Sequence, residues 1–152
     1  MTITFLGHSE IYDTDDLYER VKKAILENAD THENITFYCG GYGAFDELCA
    51  RICRSLKSEH PRWQTVFVTP YITEAQQKKL KYLTNAALYD STLYPPLEAV
   101  HPRFAIIARN RWMVDQADLI IAYVDHPYGG AHKALEYAKK KQKNIINLAE
   151  QT

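Results

Sequence analysis

The chain has 152 residues, 46% of them hydrophobic, and a formal net charge of −1 with acidic and basic residues interleaved. That is enough apolar material for the core of one ordinary domain, expected over residues 1–152, and it lacks the basic stripe of a general DNA or RNA binder, so no general nucleic-acid binding is expected. No window approaches the ~18 apolar residues of a membrane span, and no basic segment precedes the first apolar run, so the sequence reads as soluble, untargeted and not membrane-bound.

Taken in chain order, the first element is a short β-type run at 2–6, which ends at Gly7 and His8. Helical spacing follows at 15–28, where Leu17, Val21, Ala24 and Ile25 form one stripe. A second β-type run at 35–38 leads into YCGGYGAFD, in which Gly40, Gly41 and Gly43 fall within four positions of a chain that has only six glycines. The next helix, 44–56, carries Phe45, Leu48, Cys49, Ile52, Cys53 and Leu56 on one face. Three cysteines, Cys39 included, without CxxC spacing, fit a reducing, cytoplasmic compartment, with Cys49 and Cys53 as buried small hydrophobes.

A third strand is expected at 65–69 and a third helix at 74–83. Residues 84–100 contain Pro95 and Pro96, which forbid a regular helix; this stretch reads as loop with a short strand at Tyr89. Then come a helix at 102–116, a buried strand at 119–124, the pair Gly129 and Gly130, a helix at 131–141 and a last strand at 144–148. Strand–helix alternation with right-handed crossovers predicts an α/β fold, a three-layer Rossmann-like domain with a mainly parallel sheet.

In such sheets ligands bind beyond the C-terminal strand ends. Glycine there permits positive φ and close approach to the backbone, and the following helix offers unpaired N–H groups and the positive end of its dipole. GGYGAFD sits at such an end, and the arrangement suits a phosphate; the competing reading is a tight turn without ligand. No GK[ST] follows, so a Mg²⁺-triphosphate site is not expected. Asp46, in the first helical turn, either caps the helix or meets sugar hydroxyls. Gly129 and Gly130 repeat the pattern, with Arg109 and Arg111 on the preceding helix.

The opening strand ending in GHS, the YCGGYGAFD loop and the block RNRWMVDQADLIIAYVDHPYGGAHKALEYA occur in the order and spacing of the SLOG superfamily, which the chain resembles over nearly its whole length. That superfamily contains the lonely guy phosphoribohydrolases and the DNA-processing protein A family, and the chain looks most like its small single-domain members. The resemblance to the lonely guy enzymes implies catalytic roles for Arg109, four residues before Met113, and for Glu136, seven after Gly129. A carboxylate there would stabilise oxocarbenium character at ribose while Arg109 holds phosphate. His126 and Pro127 precede a Tyr where that motif has Pro before its glycines, and His132 and Lys133 stand where it has Gly-Thr; Lys133 would then supply charge to the phosphate. Read from the residues alone, Glu136 is a solvated carboxylate pairing with Lys133 or Lys140 along its helix.

The expected ligand contacts are therefore Gly7, His8, the first glycine loop with Tyr42 and Asp46, Arg109, Gly129, Gly130 and Lys133. Tyr42, Tyr71 and Tyr128 follow strands and offer rings for a base, and His8, His126 and His132 are placed to gather at one sheet edge. They lack metal-motif spacing; neither metal nor cofactor is expected. The leading reading is a protein that binds a nucleotide or nucleotide-derived signal, with N-glycosidic hydrolysis of a nucleoside monophosphate or an interaction module with a vestigial pocket as alternatives. A homodimer is expected from the apolar residues Phe104, Ile107, Ala108 and Trp112 and from the size of the superfamily's members.

Overall fold

A computed structural model describes residues 1–29, 31–86 and 88–150. Residue 87 of the expected loop, and residues 30 and 151–152 of the expected domain, lie outside the described residues. The apolar runs form β1 (Thr2–Gly7), β2 (Ile35–Cys39), β3 (Trp63–Val68), β4 (Ser91–Leu93), β5 (Leu119–Tyr123) and β6 (Ile145–Asn147), all parallel, in the order β4-β3-β2-β1-β5-β6. The amphipathic segments form α1 (Thr14–Ala29), α2 (Ala44–Leu56), α3 (Glu74–Asn85), α4 (Ala105–Gln116) and α5 (Gly130–Lys140). Among the described residues no helix is long and apolar enough to cross a membrane.

The period of two along each strand divides the core between the sheet's faces. Ile3 and Phe5 of β1 and Ile121 of β5 pack with Leu17, Val21 and Ile25 of α1 and Phe45, Leu48 and Ile52 of α2. Leu6, Ile120 and Ala122 face the other way, onto Val114 of α4 and Leu135 and Ala138 of α5, while Met113 covers Val66 and Val68. All three cysteines are buried and free. Thr4, polar and buried, donates its hydroxyl to Tyr38 O at 2.8 Å.

Two stretches depart from the sequence expectation. The short strand lies at Ser91–Leu93, beyond Tyr89, which instead turns its ring edge-on to Phe67 in the core. Only three residues pair, too few for an alternation to show in the sequence. The helix expected from 102 opens as a 3₁₀ turn, Pro102–Phe104, before α4 begins at Ala105.

β1 lies between β2 and β5, so chain leaving β1 and chain leaving β5 diverge to opposite sides. This is the topological switch point at which an open parallel sheet leaves a crevice at its C-terminal edge. Close packing brings α2 up to that edge: a Cβ on Gly7 would lie 2.2 Å from Phe45 Cδ2. Gly7→Ala is expected to destabilise the fold by roughly 1–3 kcal/mol in urea unfolding through overpacking. Adding Phe45→Leu should recover part of the loss; no recovery would place the strain elsewhere.

Candidate functional site: a cleft at the switch point

A cleft of about 450 Å³ opens where β1 and β5 diverge. Gly7, His8, Ser9 and Glu10 line it from the end of β1, Tyr42 and Asp46 from α2 and its loop, Arg109 and Asn110 from α4, and His126, Tyr128, Gly129, Gly130 and Ala131 from the loop entering α5 and its first turn.

Arg109 forms the floor. It is 2% exposed, and a helix residue so placed needs acceptors for its charge. Nη1 donates to Gly40 O at 2.9 Å and Val68 O at 2.8 Å, carbonyls at the ends of β2 and β3, and Nε donates to Asn110 Oδ1 at 2.9 Å. Nη2 has no protein acceptor among the described residues; it is the edge of the guanidinium left for the cleft. Burial lowers the Arg109 pKa, and Asp46 and Tyr71 oppose that shift.

The two glycine loops have the same backbone and different surroundings. Gly43 (φ 95°, ψ 175°) caps α2 and Gly129 (φ 91°, ψ 174°) caps α5, a conformation that essentially only glycine adopts. In the first loop a Cβ on Gly41 would meet Phe67 at 2.0 Å, one on Gly43 would meet Ser9 Cα at 2.6 Å, and one on Gly40 would meet Arg109 Cζ at 3.2 Å. Ser9 O takes the first N–H of α2, from Ala44, at 2.9 Å, and Asp46 accepts from Tyr42 N at 3.0 Å. The protein itself fills that loop. At Gly129 and Gly130 a Cβ would meet nothing within 4 Å. Lys133 N closes the first turn on Gly129 O, and among the described residues the N–H groups of Gly130, Ala131 and His132 have no acceptor.

Asp46 is half-buried in the cleft wall, and burial pushes its carboxyl up to about 7, against the opposing pull of the Tyr42 N–H and Arg109. A stack of rings lines the same cleft. His8 and His126 are 3.5 Å apart at 11°, and Tyr128 lies 4.1 Å beyond. Asp125 N donates to His8 Nε2 at 3.0 Å, so neutral His8 carries its proton on Nδ1. His126 Nδ1 lies 2.8 Å from Asp125 Oδ1, leaving Nε2 unbonded among the described residues. Burial and the neighbouring His126 lower the His8 pKa; Asp125 opposes them, and His132 adds to the lowering. Ligand-type atoms of His8, Asp125 and His126 lie within 4.8 Å of one another, but parallel rings point their in-plane lone pairs side by side rather than at one ion.

The structure thus gathers Gly7, His8, Tyr42, Asp46, Arg109, Gly129 and Gly130, with His126 and Tyr128, around one cleft. It does not bring Lys133 or Glu136 there. Both are exposed and line a neighbouring groove between α4 and α5 with Arg111, His132 and Lys140; Glu136 pairs with Lys139 at 3.4 Å. Gly40, Gly41 and Gly43 do not line the cleft: a Cβ on any of them would press on protein atoms, and Gly41 lines the groove that holds Arg51, Arg54 and Lys79. Asp125 was absent from the sequence reading: as an aspartate just past a strand it has no distinguishing pattern until His8 and His126 are seen on either side of it.

No protein-family model and no curated protein matches the sequence. Solved structures do. DNA processing protein A from Helicobacter pylori matches with a TM-score of 0.63 at 15% identity, over 95% of this chain and 63% of that one. The Streptococcus pneumoniae DNA processing protein A matches with a TM-score of 0.62 at 15% identity, over 95% of this chain and 48% of that one. The protein TM1055 matches with a TM-score of 0.56 at 13% identity, over 95% and 72%. The chain shares the Rossmann-like α/β fold of these proteins. It spans less than two thirds of either DNA processing protein A chain.

The Helicobacter pylori protein has a single-stranded DNA binding mode. The expectation of no general nucleic-acid binding is therefore overturned. It rested on charges averaged over the sequence, whereas the fold groups them: Arg111, Lys133 and Lys140 line one groove, and Arg51, Arg54 and Lys79 line another.

Two outcomes follow from the buried charges. Because the folded-state pKa of Asp46 is raised from 3.8 to about 7, the native state binds the extra proton between those values, and stability falls as pH rises through that window. Asp46→Asn should flatten that fall and be more stable than the parent at pH 8 by ~2 kcal/mol, about half of what a three-unit shift implies, because the residue is partly exposed. Arg109→Met should destabilise by roughly 2–4 kcal/mol, since two buried carbonyls lose their donor, while Arg111→Met changes little; equal effects would contradict the floor role.

Proposed function

We propose that the cleft binds a phosphate-bearing nucleotide or nucleotide-derived signal, with the phosphate on the open N-terminus of α5. One observation carries this reading: among the described residues, Nη2 of the buried Arg109 has no partner, and Arg109 lines the same cleft as a glycine-opened helix start whose N–H groups lack acceptors. A buried cation with free donors and an uncapped positive helix end are both stabilised by a bound anion. The exposed rings of Tyr42 and Tyr128 on the cleft rim provide flat apolar faces for a base. N-glycosidic cleavage through Arg109 and Glu136 has less support, because Glu136 lies in the neighbouring groove. A second reading, a single-stranded nucleic acid, is favoured by the basic α4–α5 groove, which shares Asn110 and Gly130 with the cleft.

Thermal unfolding with a panel of nucleoside monophosphates tests the proposal. At about a hundredfold excess over Kd a ligand that binds only the native state stabilises by about 2.7 kcal/mol. Gly130→Val projects into open space, so it should fold with little change in melting temperature yet abolish the ligand shift. An unchanged shift would remove the α5 terminus from the site. Stabilisation by a single-stranded oligonucleotide, with none from mononucleotides, would favour the second reading. Gly43→Val does not serve as this test, since its side chain would collide with Ser9.

A further inference from the structure

We infer that the stacked His8–His126 pair is the cleft's proton-taking element and makes it selective for a terminal phosphate monoester, a dianion, over a phosphodiester. The inference rests on the phosphate reading above and begins with the charges that surround the cleft. Arg109 of α4 contributes one positive charge and Glu10, after β1, one negative charge. Asp46 of α2 adds a second negative charge when ionised, and Asp125 touches both imidazoles from the loop after β5. His132 of α5 acts on His8 from the same side, and the phenols of Tyr42 and Tyr128 are uncharged near neutral pH. With both imidazoles neutral, the lining has no net positive charge to meet a dianion.

Geometry singles out the imidazole pair as the source of that charge. Two rings 3.5 Å apart do not readily carry a proton each, so the pair gains a single charge, and Asp125 is placed to hold it. His126 already directs Nδ1 at the Asp125 carboxylate and leaves Nε2 on the cleft side without a partner among the described residues. Protonation at Nε2 turns that atom into a donor toward a bound phosphate. For His8 the change is a swap of partners: Nε2 stops accepting from Asp125 N and donates instead to Asp125 Oδ1, 3.1 Å away. Either proton adds a second cationic contact to the cleft lining that Arg109 shares. A monoester, with two charges near neutral pH, gains from both contacts; a diester, with one, is satisfied by Arg109 and the helix terminus alone.

The test is titration calorimetry of adenosine 5′-monophosphate at pH 7.5 in two buffers of different ionisation heat, which counts protons taken up on binding. We expect uptake of about half to one proton per site, nearly none in His126→Asn, and retained uptake in Asp46→Asn. Adenosine 3′,5′-cyclic monophosphate should bind about tenfold or more weakly, with little uptake. His126 is a partly exposed loop residue, so its variant should fold; circular dichroism and melting temperature check this. Binding of the monophosphate without uptake, uptake that survives His126→Asn and His8→Asn, loss of uptake in Asp46→Asn alone, or equal affinity for the cyclic diester overturns the inference and leaves the phosphate site standing. Absence of binding by the monophosphate, the cyclic diester and inorganic phosphate alike overturns both.

Discussion

The architecture of the cleft depends on one buried guanidinium. A parallel sheet ends in a row of carbonyls that the next strand no longer pairs, and at the ends of β2 and β3 those of Gly40 and Val68 converge on Arg109 Nη1. Burying a charge is tolerable only with such partners. The same contacts join α4, on one face of the sheet, to the loop that starts α2 on the other, and hold Nη2 at a fixed place below the switch point. Gly40 has no side chain because Arg109 occupies that space. Asp46 and Tyr71 offset part of the charge's desolvation, and burial in turn raises the Asp46 carboxyl.

Around that anchor the two glycine loops have divided their roles. The same dihedrals at Gly43 and Gly129 give the same strand-to-helix turn. Yet the first is filled by Phe67, Ser9 and Arg109, and the second is left open beside His126 and Tyr128. A glycine cluster therefore signals close backbone approach without saying whether the approaching group belongs to the protein or to a ligand. Here the denser cluster marks packing and the sparser one marks an empty helix start.

This explains what the sequence made legible and what it did not. Strand alternation and the stripes Leu17–Val21–Ile25 and Phe45–Leu48–Ile52 predicted the sheet and its flanking helices because burial on one face leaves a period that survives in one dimension. The three-residue β4 left no such period. Arg109 was expected at the site through the resemblance to the lonely guy enzymes, but its burial depends on carbonyls 69 and 41 residues away in the chain. Lys133 and Glu136 were expected with the glycines because the resemblance to the lonely guy motif implies it. The helical turn carries them onto the groove face of α5, away from the cleft. The stacking of His8 on His126 joins residues 118 positions apart through β1–β5 pairing, and the sequence showed it only as histidines expected at a common edge.

The central claim is that the anion site is the open start of α5 and not the first glycine loop. Amide chemical shifts of ¹⁵N-labelled protein titrated with adenosine 5′-monophosphate test it most directly. The account predicts the largest changes at the N–H groups of Gly130, Ala131 and His132 and at the Arg109 side chain. Shifts confined to Gly41, Gly43 and Ala44, with the α5 terminus unmoved, would contradict it.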